Sequence, residues 1–177
     1  MIKLVNLMKR PVIALGLVSA AAGLAWAGHT NAVLEATLDG REEVAAGATN
    51  RAIAGDPDGR GEIYVFGIDG DPTTLCYVLI VKKIGELSQA PGGSRAAHIH
   101  VGPRGVNGPV VANLAWPQDG QAGDCLTEGE AGKFPGDPPG IVQRILTNPS
   151  DFYVNVHNAE YPSGAIRGQL SAVENQH

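Results

Sequence analysis

Ala96-Ala97-His98-Ile99-His100-Val101-Gly102, read together with Phe152-Tyr153-Val154-Asn155-Val156-His157 about fifty residues later, decides how this chain folds. In both stretches an apolar residue follows each polar one, the period of a β-strand, and side chains two apart then project from one face. His98 and His100 share a face in this reading, and a neighbouring strand can carry His157 to it. Three of the chain's five histidines would meet across one sheet. They serve there either as metal ligands or as a hydrogen-bonded polar core, and the sequence leaves both roles open.

The remainder reads as mostly β. Strand-like runs fall at 32–38, 61–68, 74–81, 96–102, 109–114, 152–157 and 164–170, with turn residues between them. Asp69-Gly70-Asp71-Pro72 joins two of these runs as a hairpin. One helix is expected over 141–146, between Pro138-Pro139 and Asn148-Pro149, because proline suits a first helical turn and stops a last one. The segment 117–140, rich in Gly, Pro and Asp, is expected to be a long surface loop. Short strands at this spacing predict an all-β antiparallel sandwich or barrel with one short helix.

The first 27 residues read as a cleaved export signal. Lys3, Lys9 and Arg10 precede an uncharged apolar run at 12–24, and Ala25-Trp26-Ala27 has the small-x-small form of a signal-peptidase site. The run is short for a membrane span, so no span is expected after cleavage. Residues 28–177 then form a single domain with its core at about 32–170, secreted or periplasmic. Cleavage would move the formal charge from −5 to −8, which argues against nucleic acid or an anionic membrane surface as a partner. Cys76 and Cys125 are the only cysteines, and in an oxidising compartment they are expected to form one disulfide. Closing a loop of that size contributes about 3–4 kcal/mol in the chain-entropy account.

Other motifs carry less. Asp56-Pro57-Asp58-Gly59-Arg60-Gly61-Glu62 lacks the alternating oxygen ligands of a calcium loop and reads as a turn before a strand. Gly102-Pro103-Arg104-Gly105 with Asn107-Gly108 has no following helix to cradle a phosphate. Arg167, inside the last strand, is expected to be buried against Glu42, Glu43 or Asn155. Asn107, Asn155 and Arg167 together make the candidate polar network around the histidines. No serine lies in a nucleophile motif, and no catalytic residues are assigned.

The His-x-His segment, Gly105-Val106-Asn107-Gly108-Pro109-Val110, Tyr153-Val154-Asn155-Val156-His157 and Ser163-Gly164-Ala165-Ile166-Arg167-Gly168-Gln169-Leu170 resemble the CHRD (chordin) domain family. Ala36-Thr37-Leu38-Asp39-Gly40-Arg41-Glu42-Glu43-Val44 is similar to the family's L-x-G-x-x-E-V start. The cysteine pair and the helix before the Tyr153 strand resemble its secreted bacterial members, although this chain has Ala165 where the family pattern has an acidic residue. The resemblance implies a Greek-key-like sandwich, superoxide-dismutase-like or immunoglobulin-like. It also implies extracellular binding without a defined enzymatic activity, since the family's animal namesake antagonises growth-factor signalling outside the cell. Copper in Cu/Zn superoxide dismutase, to which the family is similar, is held partly by a His-x-His strand. Here the further ligands of that two-metal site are missing, because only His29 and His177 remain, one near each terminus. No dismutase activity is expected. Two readings follow: a non-enzymatic binding or structural domain for an extracellular protein or glycan, and a mononuclear Cu or Zn protein using His98, His100 and His157.

Overall fold

A computed structural model describes residues 32–45, 54–91, 95–136 and 138–173. The expected export signal, His29 and His177 lie outside the described residues. Nine strands occur among them: β1 (Val33–Asp39), β2 (Arg60–Ile68), β3 (Asp71–Lys82), β4 (Ala97–Val101), β5 (Val110–Asn113), β6 (Gln121–Thr127), β7 (Phe152–Val156), β8 (Ile166–Gln169) and β9 (Ser171–Ala172). One helix, α1 (Ile141–Thr147), lies between β6 and β7. The strands form one antiparallel sheet in the order β5-β4-β7-β8-β1-β2-β3-β6, with β9 beside β1. The protein is all-β, as its patterning requires. No helix among the described residues is long and apolar enough to cross a membrane.

Along β1, β2 and β3 the period of two separates an inner from an outer face. Leu34, Ala36, Leu38, Ile63, Val65, Leu75, Tyr77, Leu79 and Val81 are buried in the core. Their outward neighbours Val33, Tyr64, Phe66 and Val78 are exposed. Gly70 takes the positive φ (82°) that the turn between β2 and β3 needs, a conformation costly for a residue with a Cβ. The phenolic oxygen of inward-facing Tyr77 accepts the Ala115 amide at 2.6 Å, and burial pushes its pKa up to about 12.

Strands β4, β7 and β8 differ, because they are buried on both faces. Ile99 pairs with Val154, and Val154 with Gly168, so this row faces the apolar core. The alternate row runs Asn113, His98, Asn155, Arg167, Asp39 across five strands. Its members His98, Asn155 and Arg167 are at most 4% exposed. The sheet therefore covers one apolar core and, on its other side, a second core made of polar groups.

The segment expected to be a loop at 117–140 contains β6, which pairs with β3 from Thr74↔Thr127 to Ile80↔Gln121. Gly123 and Asp124 are poor strand formers, so the local sequence conceals it. Backbone pairing to β3 and the crosslink decide the conformation instead. Cys76 and Cys125 sit directly opposite one another in that pairing and are joined, with their Cα atoms 4.0 Å apart. Such a bond fits an oxidising compartment. Strand β9 was likewise not evident in the sequence, since its two residues are ordered by pairing with Leu34 and Glu35. The helix falls where expected, after Pro138-Pro139 and before Asn148-Pro149. The Glu128 carboxylate, at the end of β6, accepts the amides of Gly140 and Val142 at 2.9 Å each. Four buried residues, Ile141, Val142, Ile145 and Leu146, hold the helix to the core.

Thiol titration of the denatured, unreduced protein is expected to find no free thiol. Reduction should release β6 from the sheet edge and lower the unfolding free energy by about 2–4 kcal/mol in a denaturant titration.

Candidate metal centre

The three histidines converge. His98 and His100 project from β4 onto the polar face, and His157 follows the last residue of β7, its amide donating to the Ala96 carbonyl at 2.7 Å. That register sets His157 diagonally across from His98. Ring centroids lie 5.7 Å apart for His98 and His100 and 5.4 Å apart for His98 and His157. One nitrogen from each ring can be chosen so that all three lie within 4.8 Å of one another. A metal bonded at about 2.0–2.1 Å to each needs them about 3.5 Å apart, a closure of roughly an ångström by side-chain rotation.

Two backbone carbonyls orient the rings. Nδ1 of His100 lies 2.9 Å from the Gly108 carbonyl, and Nδ1 of His157 lies 2.9 Å from that of Pro162. A carbonyl only accepts, so each Nδ1 carries the proton and each Nε2 presents a lone pair. Both Nε2 atoms are buried without a hydrogen-bond partner, as are Nδ1 and Nε2 of His98. Leaving a buried polar atom unpaired costs about 1–3 kcal/mol, so four in one cluster form a costly concentration. Of the bonds expected of a structural role, from His98 or His100 to Asn155, Asn107 or a backbone carbonyl, one is present: His100 bonds the Gly108 carbonyl in the loop after its strand, whereas His98 has no hydrogen-bond partner.

Burial favours the neutral imidazoles. Desolvation, helped by the neighbouring His157 and His100, brings His98 down to about 3. His100 is lowered to about 4 by desolvation, which the Gly108 bond partly offsets, and His157 is lowered by desolvation against the Pro162 bond.

Around the trio the candidate network divides in two. Arg167, 1% exposed, donates to Asn107 Oδ1 at 3.0 Å and to the carbonyls of Val106 (2.8 Å) and Pro103 (3.3 Å). Asn107 in turn donates to the Val44 carbonyl at 2.8 Å. Arg167 thus fastens the 102–109 loop over the polar face. The carboxylates expected to pair with it go elsewhere. Glu42 pairs with exposed Arg104, while Glu43 accepts from Asn155 Nδ2 at 3.1 Å. Desolvation raises the Glu43 carboxyl to about 7 against the field of Arg167 and the Asn155 bond. Asn155 keeps its Oδ1 unpartnered beside His98, its register neighbour.

Tyr153 is the residue that sequence reading missed. Its ring stacks on His100 at 4.8 Å and 9°, and the Arg167 guanidinium lies 3.4 Å from its centroid. His100 and Arg167 come from the strands on either side of β7, so the tyrosine links ligand candidate to loop clasp. Its oxygen accepts the Gly108 amide at 3.1 Å. Counting back by two from His157 through Asn155 reaches Tyr153, which was the available signal. Gly108 itself allows a close crossing, since a Cβ there would collide with the Val101 carbonyl. The Asp56 motif is a turn: Asp56 Oδ1 accepts the amides of Asp58 and Gly59 at 2.9 Å each.

Residues 34–170 match the family model of the CHRD domain. No curated protein and no solved structure matches the chain.

Replacing Arg167 by Met should cost about 3 kcal/mol or more, because the Val106 and Pro103 carbonyls and Asn107 lose a charged donor together. A second expectation concerns pH in the metal-free protein. Unfolded histidines take up protons near 6.5, whereas folded His98 and His100 do so only near 3 and 4, so stability present above 6.5 is lost as pH falls. Glu43 acts oppositely between about 7 and 4.5, since its neutral form is the favoured one when folded. Denaturant titrations from pH 8 to 4 should show falling stability below about 6.5, and a steeper fall in Glu43→Gln.

Proposed function

Because the chain belongs to the CHRD family, we propose that it is an exported, non-enzymatic binding domain, and that its ligand at His98, His100 and His157 is a single Cu or Zn ion. The observation that carries this reading is the pair of carbonyl-oriented imidazoles whose Nε2 atoms are buried without a partner in one cluster with unpartnered His98. Backbone carbonyls that fix the ring tautomer are the usual support of metal-ligating histidine. A purely structural histidine would be expected to satisfy both nitrogens, and none of these three does. Binding rather than catalysis follows from burial, since His98 and His157 are 0% and 3% exposed and leave a substrate no approach. Removal of residues 1–27 and export of 28–177 as one domain accord with the disulfide.

A second reading, an extracellular protein or glycan partner, draws on the outer face of β1 to β3. There Val33 lies opposite Phe66, and Tyr64 opposite Val78, all more than a third exposed. Such a strip of aromatic and branched side chains suits an apolar or carbohydrate surface.

Elemental analysis of the purified mature protein after dialysis tests the first reading, with one Cu or Zn per chain expected. Metal at a hundredfold excess over its dissociation constant should stabilise the fold by about 2.7 kcal/mol. Occupancy should fall as pH drops through the imidazole range, because a proton and a metal compete for the same lone pair. The variant His98→Leu separates ligand from structural role. It should abolish metal binding while leaving the metal-free protein at least as stable, because two unpartnered buried nitrogens are removed. A metal-free wild type, or a His98→Leu variant that retains metal, would overturn the proposal and leave the partner reading.

A further inference from the structure

The geometry points to a monovalent ion, Cu(I), rather than Zn(II), as the metal that this centre selects. The inference rests on the three-histidine reading and adds the charge state of the ion.

Three observations carry it. First, the donor set is neutral. Among the described residues no carboxylate or thiolate joins His98, His100 and His157, and both cysteines are consumed by the disulfide. Nothing in the ligand set cancels a double positive charge. Second, the set stops at three. Zinc is almost always four-coordinate, and where a protein gives it three histidines the fourth position holds water or substrate. The nitrogens here are out of contact with solvent, and His98 lies 0% exposed at the centre of the cluster. A water-completed zinc would require this face to open. A monovalent d10 ion has a weaker field and is satisfied by two or three soft or borderline donors, imidazole among them.

Third, a fixed positive charge already stands at the same face. The Arg167 guanidinium lies 3.4 Å from the centroid of the Tyr153 ring, on which His100 also stacks. Glu43 accepts from Asn155 Nδ2 at 3.1 Å and is not among the donors. The cost of transferring an ion out of water rises with the square of its charge, so a divalent ion meets about four times the desolvation cost of a monovalent one. Repulsion from Arg167 doubles as well. Neutral donors, a dry pocket and a neighbouring cation all act in one direction.

The test uses the full mature chain. Cu(I), kept reduced with ascorbate under anaerobic conditions, is titrated in competition with bicinchoninate, and Zn(II) in competition with a chromophoric zinc chelator. Ag(I) serves as a redox-silent monovalent probe. We expect one Cu(I) per chain, displacement of Cu(I) by Ag(I), and an affinity for Cu(I) at least about 1,000-fold above that for Zn(II). X-ray absorption of the Cu(I) form should show three nitrogen neighbours and no fourth light atom. Zn(II) affinity within tenfold of Cu(I), or a four-coordinate copper, would overturn the charge-state inference while leaving a metal centre in place. If His98→Leu and wild type both fail to bind Cu(I), Ag(I) and Zn(II), the metal reading falls with it.

Discussion

Burial of both faces of the β4–β7–β8 sheet is the constraint on which the rest of this structure depends. A strand with one solvated face can place its polar side chains in water, but β7 has every residue from Phe152 to Val156 buried. Its polar residues must therefore find partners inside the protein. Arg167 supplies the cover: three hydrogen bonds from one guanidinium fix the 102–109 loop over the polar face. The planar fork of arginine suits this task, because its donors diverge in one plane while the ring-facing side remains free to stack on Tyr153. With the loop in place, the Gly108 carbonyl is delivered to His100.

Closing that face creates the chemistry of the site. Water is excluded from the imidazoles, so their neutral forms are favoured and their lone pairs are left without donors. An apolar replacement would pack the same space without unpaired nitrogens. The arrangement is therefore expensive to keep as pure architecture, and that expense is the ground of the metal proposal. The same enclosure keeps the number of donors at three and their total charge at zero. The unpaired nitrogens cost stability at these positions, while the disulfide and the apolar core on the opposite side of the sheet supply what the polar side does not.

Much of the architecture was legible in the residues. The period of two placed seven strands, the Asp69-Gly70 turn and the sharing of one face by His98 and His100, because these are consequences of local backbone geometry. The helix at Ile141–Thr147 was legible too, although not the Glu128 carboxylate, twelve residues before Gly140, that accepts its first amides. Strand β6 was not legible: Gly123-Asp124 favours turns, and only pairing with β3 and the bond to Cys76 make it extended. The network of Arg167 with Asn107 was legible, but the carbonyls that hold it were not. A buried arginine suggests a carboxylate, yet Asn107 and two backbone carbonyls hold it, because the loop that carries them is the element lying above it.

Sequence by itself determined the class of fold, the faces on which alternate side chains lie, the pairing of the only two cysteines and the identity of the three imidazoles. Tertiary structure decided that His157 stands diagonally to His98, that Tyr153 lies between His100 and Arg167, and that carbonyls from two separate loops orient the rings. The division has a physical cause. Periodicity is set within a few residues by backbone sterics, whereas strand order, diagonal register and the loop that excludes water are set by contacts between segments far apart in the chain.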